Sequence, residues 1–185
     1  MTTVAASPAT NIASALRRLY FVRFGFAAIW AVLLFTTASD IGPVSATLLV
    51  LYPLFDAAAA IIDARSSRAT RSTAGLYANV VISLLTAAGL AVACSSGIPA
   101  VLRVWGVWAV VAGLAQLIVG LIRRPMGGQW PMIVSGGISV LAGTSFFIQA
   151  GASDATLSNL AGYAFLGGIF FLVSALRLGR AANGR

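Results

Sequence analysis

Four polar side chains within long apolar stretches are the residues of this chain most able to do chemistry. Arg23 lies four residues after the start of the first stretch, and Asp56 lies six residues, about 9 Å, before the end of the second. A charge at membrane depth costs about 2.5–3.5 kcal/mol on insertion scales, so it needs a partner or a proton. Since consecutive spans run in opposite directions, we expect Arg23 and Asp56 to pair across the first hairpin. Asn79 and Gln116 lie at similar depth and extend this candidate intramembrane polar site.

Two interpretations of this polar layer are open. Asp56 is either the centre of a proton- or ion-responsive site or part of a set of hydrogen bonds that hold helices together. Interhelical hydrogen bonds in membranes contribute about 0.6 kcal/mol on average. A pathway requires the polar residues to converge on a hydrated cavity, whereas a structural role requires them to be paired and dry.

The residues that are missing exclude most enzyme chemistry. The sequence has no His, no Lys and no Glu, and its one cysteine is Cys94. Triads that use His, Schiff-base lysines, disulfides within the chain and Cys/His metal clusters are therefore excluded. We expect no catalytic residue, no cofactor and no metal ligand, and we expect that the protein is not an enzyme.

Composition predicts a polytopic membrane protein. Of the 185 residues, 59% are hydrophobic and 9% are charged, whereas soluble domains carry about 25% charged residues. Six stretches have the roughly 20 apolar residues that a membrane-spanning helix needs: Leu19–Ala38, Pro43–Ile62, Ala74–Cys94, Ala100–Ile122, Trp130–Ala150 and Leu157–Leu178. We therefore expect an all-α integral membrane protein, with one six-helix domain over residues 15–182 and a disordered cytoplasmic leader over residues 1–14.

The arginines predict the orientation. Eleven of the twelve fall on one side of the predicted spans, and only Arg103 falls on the other. By the positive-inside bias, both termini are expected in the cytoplasm. The net charge of +8 is shared among juxtamembrane segments, which favours contact with anionic headgroups, at about 1 kcal/mol for each arginine, over nucleic-acid binding. Arg68, Arg124 and Arg180 are the predicted headgroup contacts, and no nucleic-acid partner is expected.

An internal repeat of 56 residues is visible when the sequence is aligned with itself. It superposes Arg68, Arg124 and Arg180, and it places Ile82, Ser83 and Leu85 on Ile138, Ser139 and Leu141. We expect three helical hairpins, about 19–62, 74–122 and 130–178, related as parallel repeats about an axis along the membrane normal.

Small and aromatic residues predict which surfaces pack and which meet the headgroups. Small residues recur on one face of the later spans, and we expect these faces to pack within the molecule: Gly106, Gly113 and Gly120, then Ser135, Ser139 and Gly143, then Ala161, Gly168 and Ala175. Aromatic residues near span ends are expected to be interfacial anchors: Tyr20, Tyr77 and Trp130 at the inner ends, and Trp105, Trp108 and Tyr163 toward the outer ones.

Four segments carry a resemblance to a known family: LYPLFDAAAAIIDARSSR from Leu51, WAVVAGLAQLIVGLIRR from Trp108, WPMIVSGGISVLAG from Trp130 and LAGYAFLGGIFFLVSALRLGR from Leu160. They resemble the HdeD-like acid-resistance membrane proteins, whose short hairpin repeat has no known function. The resemblance covers about residues 20–180 and implies a multi-pass protein of the bacterial inner membrane, linked to acid or envelope stress. In that family the fourth span commonly carries Glu near the position of Gln116, so this chain keeps one acid where the family often has two.

The leading functional hypothesis is therefore a non-enzymatic membrane protein that acts through structural or partner contacts. The first alternative is a small proton or ion channel or transporter that uses the polar layer around Asp56. The second is an accessory subunit of a larger membrane complex. A homo-oligomer and a membrane-protein partner both remain open at this stage.

Overall fold

The computed structural model describes residues 8–67, 73–126 and 129–183, which form α-helices and no strand within those ranges. The helices are α1 (Pro8–Thr36), α2 (Pro43–Ser67), α3 (Ala74–Ala93), α4 (Ile98–Ile122), α5 (Trp130–Gln149) and α6 (Ser158–Asn183). All six are long and apolar enough to cross a membrane. The predicted all-helical architecture with six candidate spans is therefore confirmed.

The helices continue beyond the apolar stretches at the ends that carry arginines. α1 begins at Pro8 and so includes residues 8–14, which the sequence assigned to the leader, whereas residues 1–7 lie outside the described residues. α2 continues to Ser67 and α6 to Asn183. Arg and Ala are strong helix formers, so a helix does not end where hydrophobicity ends.

Short connections link neighbouring helices at the opposite end of the bundle. A 3₁₀ turn at Cys94–Ser96 follows α3, and Gly97 adopts φ 92° before α4 begins. Glycine reaches this left-handed region without the Cβ clash that other residues suffer. The N–H of Leu157, just before α6, donates to the carbonyl of Ala38, just after α1, at 2.9 Å. This bond ties two of the connections together.

The helices pack as a closed ring in which each helix contacts the next and α6 contacts α1. The most extensive contacts are those of α4 with α5, α1 with α6 and α2 with α3, whereas the two helices within each predicted hairpin touch less. A 56-residue repeat carries α2 with α3 onto α4 with α5 and then, around the ring, onto α6 with α1. The three extensive pairs are therefore equivalent under the predicted repeat. For α4 with α5, α1 with α6 and α1 with α2, contacts later in one helix fall earlier in its partner, so these neighbouring helices are antiparallel.

Glycines bring the backbones of α4 and α5 into direct contact. A Cβ added to Gly113 would lie 2.7 Å from the carbonyl oxygen of Gly136, and one added to Gly143 would lie 2.6 Å from that of Gly106. On the α1–α6 seam, a Cβ on Gly168 would lie 3.1 Å from Cβ of Ala27. The predicted small-residue faces therefore pack within the molecule.

The main buried core occupies the half of the bundle where α1, α3 and α5 end. Trp30 and Trp105 stack there with ring centroids 5.3 Å apart, and Trp108 meets Trp105 edge to face at 5.2 Å. Trp105 is completely buried and Trp108 is 8% exposed. The expectation that these two residues are interfacial anchors is wrong, because both face the ring interior rather than the headgroups. Trp130, by contrast, is 56% exposed, as an anchor requires.

Candidate functional site

An ion pair between α1 and α2 is the centre of the candidate site. Nη2 of Arg23 donates to Oδ1 of Asp56, and the two side chains are 12% and 14% exposed. Arg23 lies nine residues after the start of the span Ser14–Thr36, and Asp56 lies ten residues before the end of Pro43–Ser66. At 1.5 Å per residue both are about 14–15 Å from those ends. The predicted pair therefore exists, nearer the middle of the spans than the sequence indicated.

The second carboxylate oxygen of Asp56 receives two donors from α3. Nδ2 of Asn79 donates to Oδ2 at 2.7 Å, and Oγ of Ser83 donates to the same oxygen at 2.9 Å. Asn79 and Ser83 are four residues apart and so share one helix face. Both oxygens of Asp56 are thus engaged, and one carboxylate connects α1, α2 and α3.

Small residues around Asp56 bring α3 within reach. Ala57 and Ala60 of α2 are buried and pack with Val80 of α3 in a small apolar cluster. Because alanine side chains are short, the two helices approach closely enough for Asn79 and Ser83 to reach Asp56 without an intervening water. Local sequence therefore sets the hydrogen-bond distances of the site.

A fourth helix covers the arginine. Cζ of Arg23 lies 4.1 Å from the centroid of the Phe171 ring on α6. A guanidinium over an aromatic face is attracted by the ring quadrupole, by about 2 kcal/mol or more when the pair is desolvated. The site therefore connects α6, α1, α2 and α3, including the two helices that close the ring.

Aromatic rings fill the interior on one side of Asp56. Tyr52, one turn before Asp56, contacts Trp30 at 4.6 Å between ring centroids, Trp105 at 5.6 Å and Trp108 at 6.0 Å. The indole N–H of Trp30 donates to the carbonyl of Leu48 at 2.6 Å. We call Trp30, Tyr52, Trp105 and Trp108 the aromatic cluster. It separates the Asp56 site from the end of the bundle where α2 and α4 begin.

Two donors of the aromatic cluster have no hydrogen bond. The indole N–H groups of Trp105 and Trp108 are buried and have no partner among the described residues. An unpaired buried donor costs about 1–3 kcal/mol.

The structure places Gln116, a predicted site residue, outside the Asp56 site, and it places Ser83, which was not predicted, inside it. Gln116 is exposed on α4 and lies apart from the side chains that hydrogen-bond to Asp56. Ser83, which no sequence argument placed in the polar layer, takes part in it. Its spacing of four residues from Asn79 is the signal that could have found it, because that spacing places both residues on one helix face.

The predicted headgroup arginines lie at the same end of their helices. Arg124, in a 3₁₀ turn after α4, and Arg180, in the last turn of α6, are both exposed. Their exposure is compatible with headgroup contact, which stays a prediction. Arg68 lies outside the described residues.

The chemistry of the Asp56 site is that of a saturated ion pair. Its donors are a guanidinium, an amide and a hydroxyl, and among the described residues none of these hydrogen bonds joins Asp56 to a second carboxylate. Within the described ranges, no group of three His, Cys, Asp or Glu side chains is placed to hold a metal ion. The arrangement is suited to joining helices.

Comparison with known proteins adds no relative. No family model matches the chain, and no similar protein is found among the curated proteins or the solved structures.

Proposed function

We propose that this chain is a non-enzymatic, multi-pass membrane protein that acts through structural or partner contacts, with acid or envelope stress as its setting. The observation that carries the structural part is the saturation of Asp56: Arg23 occupies one carboxylate oxygen, and Asn79 and Ser83 occupy the other. A carboxylate that carries protons or ions must release such partners in each cycle. A carboxylate that holds helices together keeps them.

The aromatic cluster supports the same proposal. A pathway through the ring and past Asp56 would have to cross the level of Trp30 and Trp105, whose side chains are 1% and 0% exposed. Opening it would break the Trp30–Leu48 hydrogen bond and several ring contacts. These contacts favour a closed interior over the channel or transporter alternative.

The stress setting and the bacterial inner membrane are proposed from the resemblance to the HdeD-like proteins, and the arginine distribution supports a cytoplasmic location for both termini. The segments that carry the resemblance include Asp56 in α2 and much of α4, α5 and α6. If the protein protects the membrane by its fold, the residues that hold the fold should matter for survival even though they perform no reaction.

Flux measurements separate the structural proposal from the channel alternative. In proteoliposomes under a pH gradient, we expect the folded wild type to pass protons and ions no faster than empty liposomes, and the Asp56→Asn variant to behave the same way. A wild-type flux that Asp56→Asn abolishes and Asp154→Asn leaves intact would overturn the proposal. It would make Asp56 a conduction site.

Acid survival tests the proposed setting. In a strain that lacks the gene, we expect survival after an acid shock to fall by about tenfold or more and to be restored by the wild-type chain. Because a tenfold population change corresponds to about 1.4 kcal/mol, a destabilised Asp56→Ala variant is expected to rescue poorly. Asp154→Ala, at an exposed position in the α5–α6 connection, is the matched control. Full survival of the deletion strain would contradict the assignment to acid stress.

A further inference from the structure

One end of the α1–α6 seam holds an arginine in a glycine-lined position. If Gly179 of α6 carried a Cβ, that atom would lie 2.9 Å from Cζ, 3.0 Å from Nε and 3.2 Å from Nη2 of Arg17 on α1. The guanidinium therefore lies against the backbone of α6 at Gly179, and a side chain at this position would displace it. Cζ of Arg17 also lies 5.5 Å from the ring centroid of Phe21, one turn along α1. These two contacts orient an exposed cation that would otherwise be free to move.

Further positive charge lies beside this position. Arg180 follows Gly179 in the last turn of α6 and is exposed. Arg177, one turn earlier, lies with Cζ 5.9 Å from the ring centroid of Trp130. Two exposed arginines, Arg17 and Arg180, thus flank one glycine at the junction of two helices.

Acidic side chains are few at this end of the seam. The sequence has four acidic residues. Asp56 is paired with Arg23, and Asp63 is buried on α2. Asp40 and Asp154 lie in the connections at the opposite end of the bundle. Arg17 and Arg180 are both exposed, so their guanidinium groups are available to an anion from outside the chain.

We propose that Arg17 and Arg180 bind the phosphate of an anionic phospholipid at the α1–α6 seam. A guanidinium presents a planar set of N–H donors that matches phosphate oxygens two at a time. Arg17 and Arg180 lie at the ends of the candidate spans Ser14–Thr36 and Ser158–Arg180, which is the level of the headgroups. The exposed Trp130 beneath Arg177 marks the same level.

A phosphate bound here bridges the first and last helices of the ring. Those helices also carry Arg23 and Phe171, which cover the Asp56 site. A ligand that binds the folded state and not the unfolded state raises the melting temperature. Anionic lipid should therefore stabilise ring closure, and this effect is independent of whether the protein acts in acid stress.

The experiment uses the full purified chain in a neutral detergent, with phosphatidylglycerol, phosphatidylcholine or inorganic phosphate added. We expect phosphatidylglycerol to raise the melting temperature by about 2–4 °C and to remain bound in native mass spectrometry. Phosphatidylcholine and inorganic phosphate should each give a smaller shift. An equal shift with inorganic phosphate would overturn the assignment to a lipid.

Two pairs of variants separate a built site from general attraction to positive charge. Arg17→Gln should reduce lipid binding at least fivefold. Arg103→Gln removes one exposed arginine near the start of α4, at the opposite end of the bundle, and should leave lipid binding unchanged. Gly179→Ala keeps every charge but displaces the Arg17 guanidinium, and it should also weaken binding several-fold. Gly162→Ala, on the same helix with open space at its Cβ, should leave binding unchanged.

Each variant is compared with its own melting temperature in detergent alone, so a change in fold stability does not count as a change in lipid affinity. Equal loss of binding in Arg17→Gln and Arg103→Gln, or unchanged binding in Gly179→Ala, would overturn the proposed site.

Discussion

Replacing Asp56 with alanine is expected to lower the free energy of unfolding by about 3–5 kcal/mol. The variant leaves the Arg23 guanidinium, 12% exposed in the middle of a span, without its carboxylate. It also removes the acceptor of Asn79 and Ser83. Breaking one side of a buried pair is costly because the remaining charge stays desolvated. Unfolding by a denaturing detergent, together with the yield of monodisperse protein, measures the effect.

The double variant tests whether the loss comes from the pair itself. Arg23→Ala with Asp56→Ala removes both charges, so its destabilisation should be smaller than the sum of the two single losses by about 0.5–3 kcal/mol. If Asp56→Ala does not fold at all, Asp56→Asn keeps an amide oxygen for Asn79 and Ser83 and makes the comparison measurable. Asp154→Ala, at an exposed position, is the control. Asp56→Ala with wild-type stability would show that the pair does not hold the helices.

Gly136→Ala is expected to destabilise the fold by about 1–3 kcal/mol, and a larger side chain at this position by more. The new Cβ would lie 2.7 Å from the carbonyl oxygen of Gly113 and 2.8 Å from the backbone nitrogen of Leu117. Both neighbours are backbone atoms of α4, so α4 and α5 must separate along the most extensively contacting seam of the ring. In lipid, helix association depends on close van der Waals packing, and separation forfeits it.

Gly137→Ala is the matched control for that experiment. Gly137 is the next residue of the same helix, and no atom of another helix lies within 4 Å of its Cβ position. The two variants have the same effect on helix propensity, so the difference between them isolates packing. Thermal unfolding in one detergent compares them directly. Similar melting temperatures for Gly136→Ala and Gly137→Ala would contradict the close contact of α4 and α5.

Features that depend on distance along one helix were predictable from the sequence. The six candidate spans follow from runs of apolar residues, because a helix of known rise needs about 20 of them to match the bilayer. The Arg23–Asp56 pair follows from matching depth in two consecutive, oppositely directed spans, and the structure contains it. The glycine face of α4 follows from the helical period, since Gly106, Gly113 and Gly120 recur every seven residues. On α5 the predicted face included Gly143 but not Gly136, which also contacts α4.

Which helices are neighbours, and which way each one faces, required the tertiary structure. Hydropathy predicts the depth of Gln116 along its helix but not which side of the helix carries it. In the structure Gln116 is on the exposed side of α4. Trp105 and Trp108 lie inside because the same helix turns that face toward α1 and α2. Ser83 joins Asp56 because α3 packs beside α2. In a membrane, lipid is as apolar as a helix surface, so hydrophobicity does not set the rotation of a helix, and the direct packing of its neighbours decides it.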